Sequence, residues 1–235
     1  MGKEKDPAFR SEMTPREGAA ALLYLPVHVW LLPRLLTGLF RAGALDEVGV
    51  HIVCYGVGAI CLLAVLWRFW RQEFDALCDY GPGALLEVVK AYGVLLLCNL
   101  AVNLGLLLAG KMDNPNNAAI FSMAKEDIGS TAAVAVFLAP LVEEPLFRGG
   151  LFGLLRRRSR AAAYAVSVLL FALYHVWSFA LADPRAWLYL LQYLPAGFLL
   201  ARCYEKTNTL WAAVFLHMTV NGVSMLAISA MGQYL

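Results

Sequence analysis

Charge is scarce in this sequence: Lys, Arg, Asp and Glu make up 15% of its 235 residues, 60% are hydrophobic, and the mean hydropathy is +0.63. That balance excludes an ordinary soluble domain and implies an integral membrane protein. A formal charge of +2 supplies no basic surface for nucleic acid, and none is expected as a partner. The five cysteines, Cys54, Cys61, Cys78, Cys98 and Cys203, show no CxxC spacing, so they read as small packing residues in apolar runs. No internal repeat or low-complexity tract interrupts the chain, which leaves one helical bundle as the economical architecture. Residues 1–17 alternate acidic and basic side chains without a short apolar core, and no secretory signal peptide is expected there.

A bilayer core requires about 20 mostly apolar residues per helix. Such runs occur at about 18–40, 48–70, 84–110, 131–155, 161–182, 186–203 and 209–232. The expected fold is therefore all-α, a polytopic bundle of about 7–8 membrane helices around an intramembrane polar cavity. The first run contains Pro26, His28, Pro33 and Arg34 and reads as a kinked span, two short segments, or a partly interfacial one. Basic residues set the orientation. With a cytoplasmic N-terminus, Lys3, Lys5, Arg10, Arg16, Arg68, Arg71, the run "RRRSR" at 156–160, Arg202 and Lys206 fall inside, and only Arg41, Lys111, Lys125 and Arg185 fall outside. The polar connection at 111–130 opens with turn formers, Asp113 to Asn117, and then suits a short surface helix. Three regions follow: a charged cytoplasmic segment at 1–17, N-terminal spans with an outer loop at 18–130, and a core at 131–232.

That core carries charge where lipid should forbid it. "VEEPLFRGG" at 142–150 puts Glu143, Glu144 and Arg148 inside a span, where each ionisable group costs about 2.5–3.5 kcal/mol unless paired or facing water. Glu144 and Arg148 are i and i+4, hence neighbours able to pair, which leaves Glu143 over. Pro145 removes a backbone donor and should bend or open the helix. Gly149 and Gly153 have GxxxG spacing, which serves packing within the bundle or a dimer seam. Two further spans carry pairs at the same spacing, Phe171 with His175 and His217 with Asn221. A lone intramembrane His or Asn is commonly packing glue, yet three polar stripes at similar depth are satisfied most cheaply around one cavity. His28 and His51 lie near the ends of the first two runs, where polar atoms reach the interface, and no role is assigned to them. Lys90, near a cytoplasmic end, can snorkel.

A carboxylate withdrawn from water suits general-base work near pH 7, and a neighbouring histidine can share the proton. A second histidine with an asparagine supplies donors for an oxyanion. Together these describe peptide hydrolysis without a covalent intermediate. Ser130, Ser167, Ser178, Ser224 and Ser229 are available as nucleophiles, but no GxSxG surrounds any of them. Two Glu and two His are also a zinc donor set, against which stands the lack of HExxH.

The three motifs, "EEPLFR" at 143–148, "FALYH" at 171–175 and "HMTVN" at 217–221, together resemble the CAAX-protease and bacteriocin-processing family of intramembrane endopeptidases, which includes the prenyl-protein converting enzymes. The likeness covers roughly 131–232. It implies that Glu143 activates water with His175 assisting, that His217 and Asn221 form the oxyanion hole, and that Glu144, Arg148 and Phe171 support the site. No cofactor is implied, with zinc kept as an alternative. The expected partner is a membrane or membrane-associated peptide substrate in the lipid bilayer; the oligomeric state is left open. Short loops and compact size suggest a multi-pass protein of a bacterial cytoplasmic membrane. Two other classes fit the same residues: a non-catalytic membrane scaffold or immunity factor, and a proton-coupled transporter, although the inverted repeats expected of the latter are missing.

Overall fold

A computed structural model describes residues 9–111 and 114–232. Asp113 of the outer turn and Lys3 and Lys5 of the charged segment lie outside the described residues. The described chain is mostly helical: α1 Pro15–Arg41, α2 Glu47–Val65, α3 Trp67–Leu108, α4 Pro115–Glu126, α5 Ile128–Arg156, α6 Arg160–Ala182, α7 Leu190–Thr207 and α8 Leu210–Gly232. Six of these, α1, α2, α3, α5, α6 and α8, are long and apolar enough to cross a bilayer. The run expected at 186–203 becomes a 3-10 turn, Pro184–Tyr189, followed by α7, whose Arg202, Glu205 and Lys206 keep it out of that set. Leu23, Ile60, Leu97, Leu108 and Leu226 face outward while Glu73, Glu144 and Arg148 are buried. This reversal of the soluble pattern is what a lipid surround selects.

Local sequence sets the helix ends. Thr14 and Glu17 form a reciprocal capping box at the start of α1, and Asp46, Asn114, Asp127 and Ser159 each accept a backbone N–H at the start of α2, α4, α5 and α6. Asn208, in the left-handed region at φ 52°, ends α7 and turns the chain into α8. The first span is a single helix with a widened π turn at Val27–Leu31 directly after Pro26, so its prolines kink it without dividing it.

One boundary differs from the sequence reading. The second run was expected to reach residue 70, but α2 ends at Val65, and α3 then runs 42 residues, about 63 Å at 1.5 Å per residue, twice the thickness of a bilayer core. Its first six turns line the charged end of the bundle: Arg68 pairs with Glu17 of α1, Glu73 accepts from Leu210 at the start of α8 (2.5 Å), and Glu87 pairs with Lys206 of α7 (2.7 Å). Hydropathy windows cannot separate such a stretch from a span it continues into.

The same end gathers the basic loop. Arg156 and Arg160 both reach Glu205 (2.5 and 2.9 Å), Arg157 reaches Glu12 (3.3 Å), and Lys90 pairs with Glu87 (3.3 Å). Arg68, Arg156, Arg157, Arg160 and Lys206, five of the residues assigned to the cytoplasm by charge counting, thus form ion pairs at one pole. Within the bundle, a Cβ on Gly149 would meet Met13 and Phe69, and one on Gly150 would meet Ala21 at 3.0 Å. The glycines therefore serve close approach of α1, α3 and the N-terminal segment.

Glu73 holds this pole together. It is fully buried, accepts the Ser11 hydroxyl (2.6 Å) and the Leu210 N–H, and its carbonyl accepts the Thr209 hydroxyl (2.8 Å). Glu73→Ala is expected to lower unfolding stability by about 1–3 kcal/mol by stranding buried donors, and Glu73→Gln by less. Thermal and denaturant unfolding in detergent micelles checks this.

Candidate active site

The site is built on α5, and α5 is irregular where the site requires it. A single α-helical stretch, Ala139–Glu144, sits between two π-helical ones, Ala133–Leu138 and Pro145–Phe152. Proline accounts for both. Pro140 and Pro145 have no N–H to give, and a widened turn redistributes the remaining donors. Ala139 donates to Val134, five residues back, so the next bond in that pattern would have come from Pro140 to Ala135. The Ala135 carbonyl instead accepts from Asn221 Nδ2 at 2.7 Å. Asn221 thereby ties α8 to the exact turn that precedes the glutamates.

Glu143, Glu144 and Arg148 are all buried. The expected Glu144–Arg148 pair is present, with Arg148 Nη1 to Glu144 Oε1 at 3.2 Å. Arg148 also donates from Nη2 to the Gly197 carbonyl of α7 (3.3 Å), and its guanidinium lies 4.1 Å above the Phe171 ring of α6. Glu144 has a second partner that spacing did not reveal: His217 Nδ1 donates to the same Oε1 at 2.7 Å. One carboxylate oxygen thus receives both an arginine and a histidine.

Glu143 is held differently. Its Oε1 accepts the Tyr55 hydroxyl at 3.1 Å. Its Oε2 is buried without a hydrogen-bond partner among the described residues and stands 3.9 Å from His175 Nε2 and 3.9 Å from His217 Nε2. Those spans are too long for direct bonds and of the length one water bridges. His175 Nδ1 donates to the Phe171 carbonyl (2.9 Å), which makes Nε2 the acceptor nitrogen of the neutral ring. His217, with Nδ1–H on Glu144, presents Nε2 as an acceptor when neutral and as a donor when charged.

The structure therefore brings Glu143, Glu144, Arg148, Phe171, His175 and His217 together. His175 lies in the second half of its run at 161–182 and His217 in the first half of its run at 209–232. The boundaries of α6 and α8 stay where the sequence puts them, and both rings nonetheless reach one oxygen of Glu143. Asn221 stands one turn beyond His217 with one amide hydrogen committed to Ala135. Among the described residues no group of three His, Cys, Asp or Glu side chains is arranged to hold a metal ion.

Several contributors escaped the sequence reading. Tyr55 and Tyr174 bond each other at 2.7 Å, and Tyr193 stacks on His175 with centroids 4.6 Å apart. The Tyr193 hydroxyl accepts from Asn114 and Asn116 at the start of α4, so the connection at 111–130 reaches His175 through one aromatic ring. His28 requires a correction. It does not sit at an interface: it is 2% exposed and bonds the Tyr174 hydroxyl at 3.2 Å, because the π turn after Pro26 rotates it inward. Tyrosines in apolar spans carry no spacing motif, which is why no pattern marked them. His51 bonds the Glu47 carbonyl of its own helix (2.9 Å) and stays outside the cluster.

Compared with protein families, residues 127–223 match the one described as Type II CAAX prenyl endopeptidase Rce1-like. That segment contains all seven motif side chains named above. No curated protein and no solved structure matches the chain. The match agrees with the resemblance carried by the three motifs, and the six helices long and apolar enough to cross a bilayer fit a multi-pass membrane protein.

Arg148→Ala is expected to cost about 3–5 kcal/mol, because it leaves Glu144 buried with only His217 for charge compensation. Arg148→Lys should recover part of this, since an ammonium can meet Glu144 but not also reproduce the flat guanidinium over Phe171. Melting temperature and monodisperse yield of the purified protein measure both.

Proposed function

We propose, from the match of residues 127–223 to the family described as Type II CAAX prenyl endopeptidase Rce1-like, that this protein is a glutamate-dependent endopeptidase cleaving a peptide bond in or near the membrane. The observation that carries the reading is the placement of Glu143 Oε2, 3.9 Å from both His175 Nε2 and His217 Nε2. The Glu143 carboxylate and His175 Nε2 are both acceptors. What lies between them must donate to both, and water does so with its two hydrogens.

In this mechanism Glu143 takes one proton from that water while His175 accepts a hydrogen bond from the other. The water oxygen bonds to the peptide carbonyl carbon, whose oxygen becomes the oxyanion. Charged His217, stabilised by Glu144 on its other nitrogen, donates from Nε2 to that oxyanion, and Asn221 adds its second amide hydrogen. The proton held by Glu143 then passes to the amide nitrogen as the C–N bond breaks. Glu144 and Arg148 act as positioning residues, Glu144 by fixing the His217 ring and Arg148 by holding Glu144. Phe171 packs beside both histidines, with centroids 4.6 Å from His175 and 6.0 Å from His217. The short connections between its helices favour a bacterial cytoplasmic membrane as its location.

Glu143→Gln is expected to abolish cleavage while leaving the protein folded and inserted. Mass spectrometry of new peptide termini, in cells carrying wild type or variant at equal expression, should show discrete termini that vanish in the variant. Matching sets of termini would leave these side chains to packing, as in a membrane scaffold or immunity factor. His175→Ala is expected to lower kcat by about 100-fold or more, the scale of general-base assistance, with a smaller effect on KM.

A further inference from the structure

Resting on the reading of Glu143 as the base, we propose that Tyr55, Tyr174 and His28 are positioning residues for it, forming a one-way hydrogen-bond chain across three membrane helices. The chain decides which oxygen of Glu143 faces the two site histidines.

The direction follows from counting hydrogens. A carboxylate only accepts, so the Tyr55 hydroxyl donates to Glu143 Oε1 (3.1 Å). Tyr55 has one hydrogen and has given it, so in the 2.7 Å contact with Tyr174 it must accept. Tyr174 has now given its own hydrogen, and in the 3.2 Å contact with His28 Nε2 it too must accept. His28 therefore carries its proton on Nε2. Its Nδ1 is then an acceptor, which suits the Cys54 thiol 3.9 Å away. Every member has a donor behind it and an acceptor ahead, ending at the one oxygen of Glu143 that does not face the histidines.

The chain draws on parts of the protein outside the matched segment. His28 comes from α1, Tyr55 and Cys54 from α2, and only Tyr174 from α6, beside His175. Its far end is closed, since His28 and Cys54 are 2% and 6% exposed. It is thus a device for orientation, with no outlet for protons to water. The rings are fixed by packing: Tyr24 stacks on His28, Tyr55 meets His28 edge-on at 5.0 Å, and Tyr174 lies 5.5 Å from Phe147 of α5. Without Tyr55, no other hydrogen bond among the described residues would hold Glu143 Oε1, and the carboxylate could rotate to present either oxygen.

The test uses the full chain in detergent or nanodiscs and reads two quantities. Histidine nitrogen NMR, with His28 assigned by its loss in His28→Gln, should find the Nε2–H tautomer in wild type. In Tyr55→Phe, the Tyr174 hydroxyl is released to donate to His28 Nε2, and the ring should convert to Nδ1–H. With an internally quenched farnesylated CAAX peptide as probe, Tyr55→Phe should lower kcat about tenfold or more, with KM within about twofold, as expected for one hydrogen bond to a charged group. Tyr174→Phe should lose less, and should add nothing in the Tyr55→Phe background, because it acts through Tyr55. An Nδ1–H tautomer of His28 in wild type, or wild-type kcat in Tyr55→Phe, overturns the chain; should Tyr55→Phe not fold, the wild-type tautomer and Tyr174→Phe decide it. If wild type does not cleave the probe, the endopeptidase reading fails for that substrate, while the tautomer result still decides the chain.

Discussion

A carboxylate that is fully removed from water must have its charge answered nearby, and in this bundle that obligation falls on Glu144. Its Oε1 accepts from Arg148 and from His217, and Arg148 in turn reaches the Gly197 carbonyl and lies over Phe171. Four helices, α5 to α8, therefore meet around one ion pair. Moving any of them would strand a charge in a medium that cannot solvate it. The positions of the other site residues follow, because His217 cannot turn away from Glu143 while its second nitrogen is held by Glu144.

Helix irregularity is the second organising element. A regular helix satisfies every backbone group internally and offers none to its neighbours. By placing Pro140 and Pro145 on either side of the glutamates, the sequence widens the turns there and frees the Ala135 carbonyl for Asn221. The same device recurs in α1, where the widened turn after Pro26 brings His28 inward. In each case lipid excludes water as an alternative partner, so the released or redirected group must find one inside the protein. Proline in these spans thus converts backbone into site architecture.

The matched segment and the N-terminal helices have different parts in the same cavity. Residues 127–223 supply the two glutamates, the arginine and both site histidines, while α2 supplies Tyr55, the hydroxyl that engages Glu143 Oε1. Glu73, which accepts from the Leu210 N–H, and Glu87, which pairs with Lys206, tie these two parts together at one end of the bundle. At the other side, Asn114 and Asn116 hold Tyr193 over His175. Glu143 is thus braced from α2, and His175 is capped through Tyr193 from the start of α4.

The sequence by itself determined the class of protein, most of the span boundaries, and the seven side chains of the three motifs. Hydropathy is additive along a chain, and i to i+4 spacing is a property of a single helix, so both can be read without knowing any tertiary contact. It also showed that Glu144 and Arg148 could pair. Only the tertiary structure decided that His217 shares Glu144, that Glu143 turns one oxygen to two histidines and the other to Tyr55, and that His28 belongs inside. These are contacts between residues 73, 88 and 146 positions apart, joined by helices whose tilt and rotation no local pattern encodes. A tyrosine or histidine in an apolar run has the same composition whether it faces lipid headgroups or a buried carboxylate; the packing of neighbouring helices makes the difference.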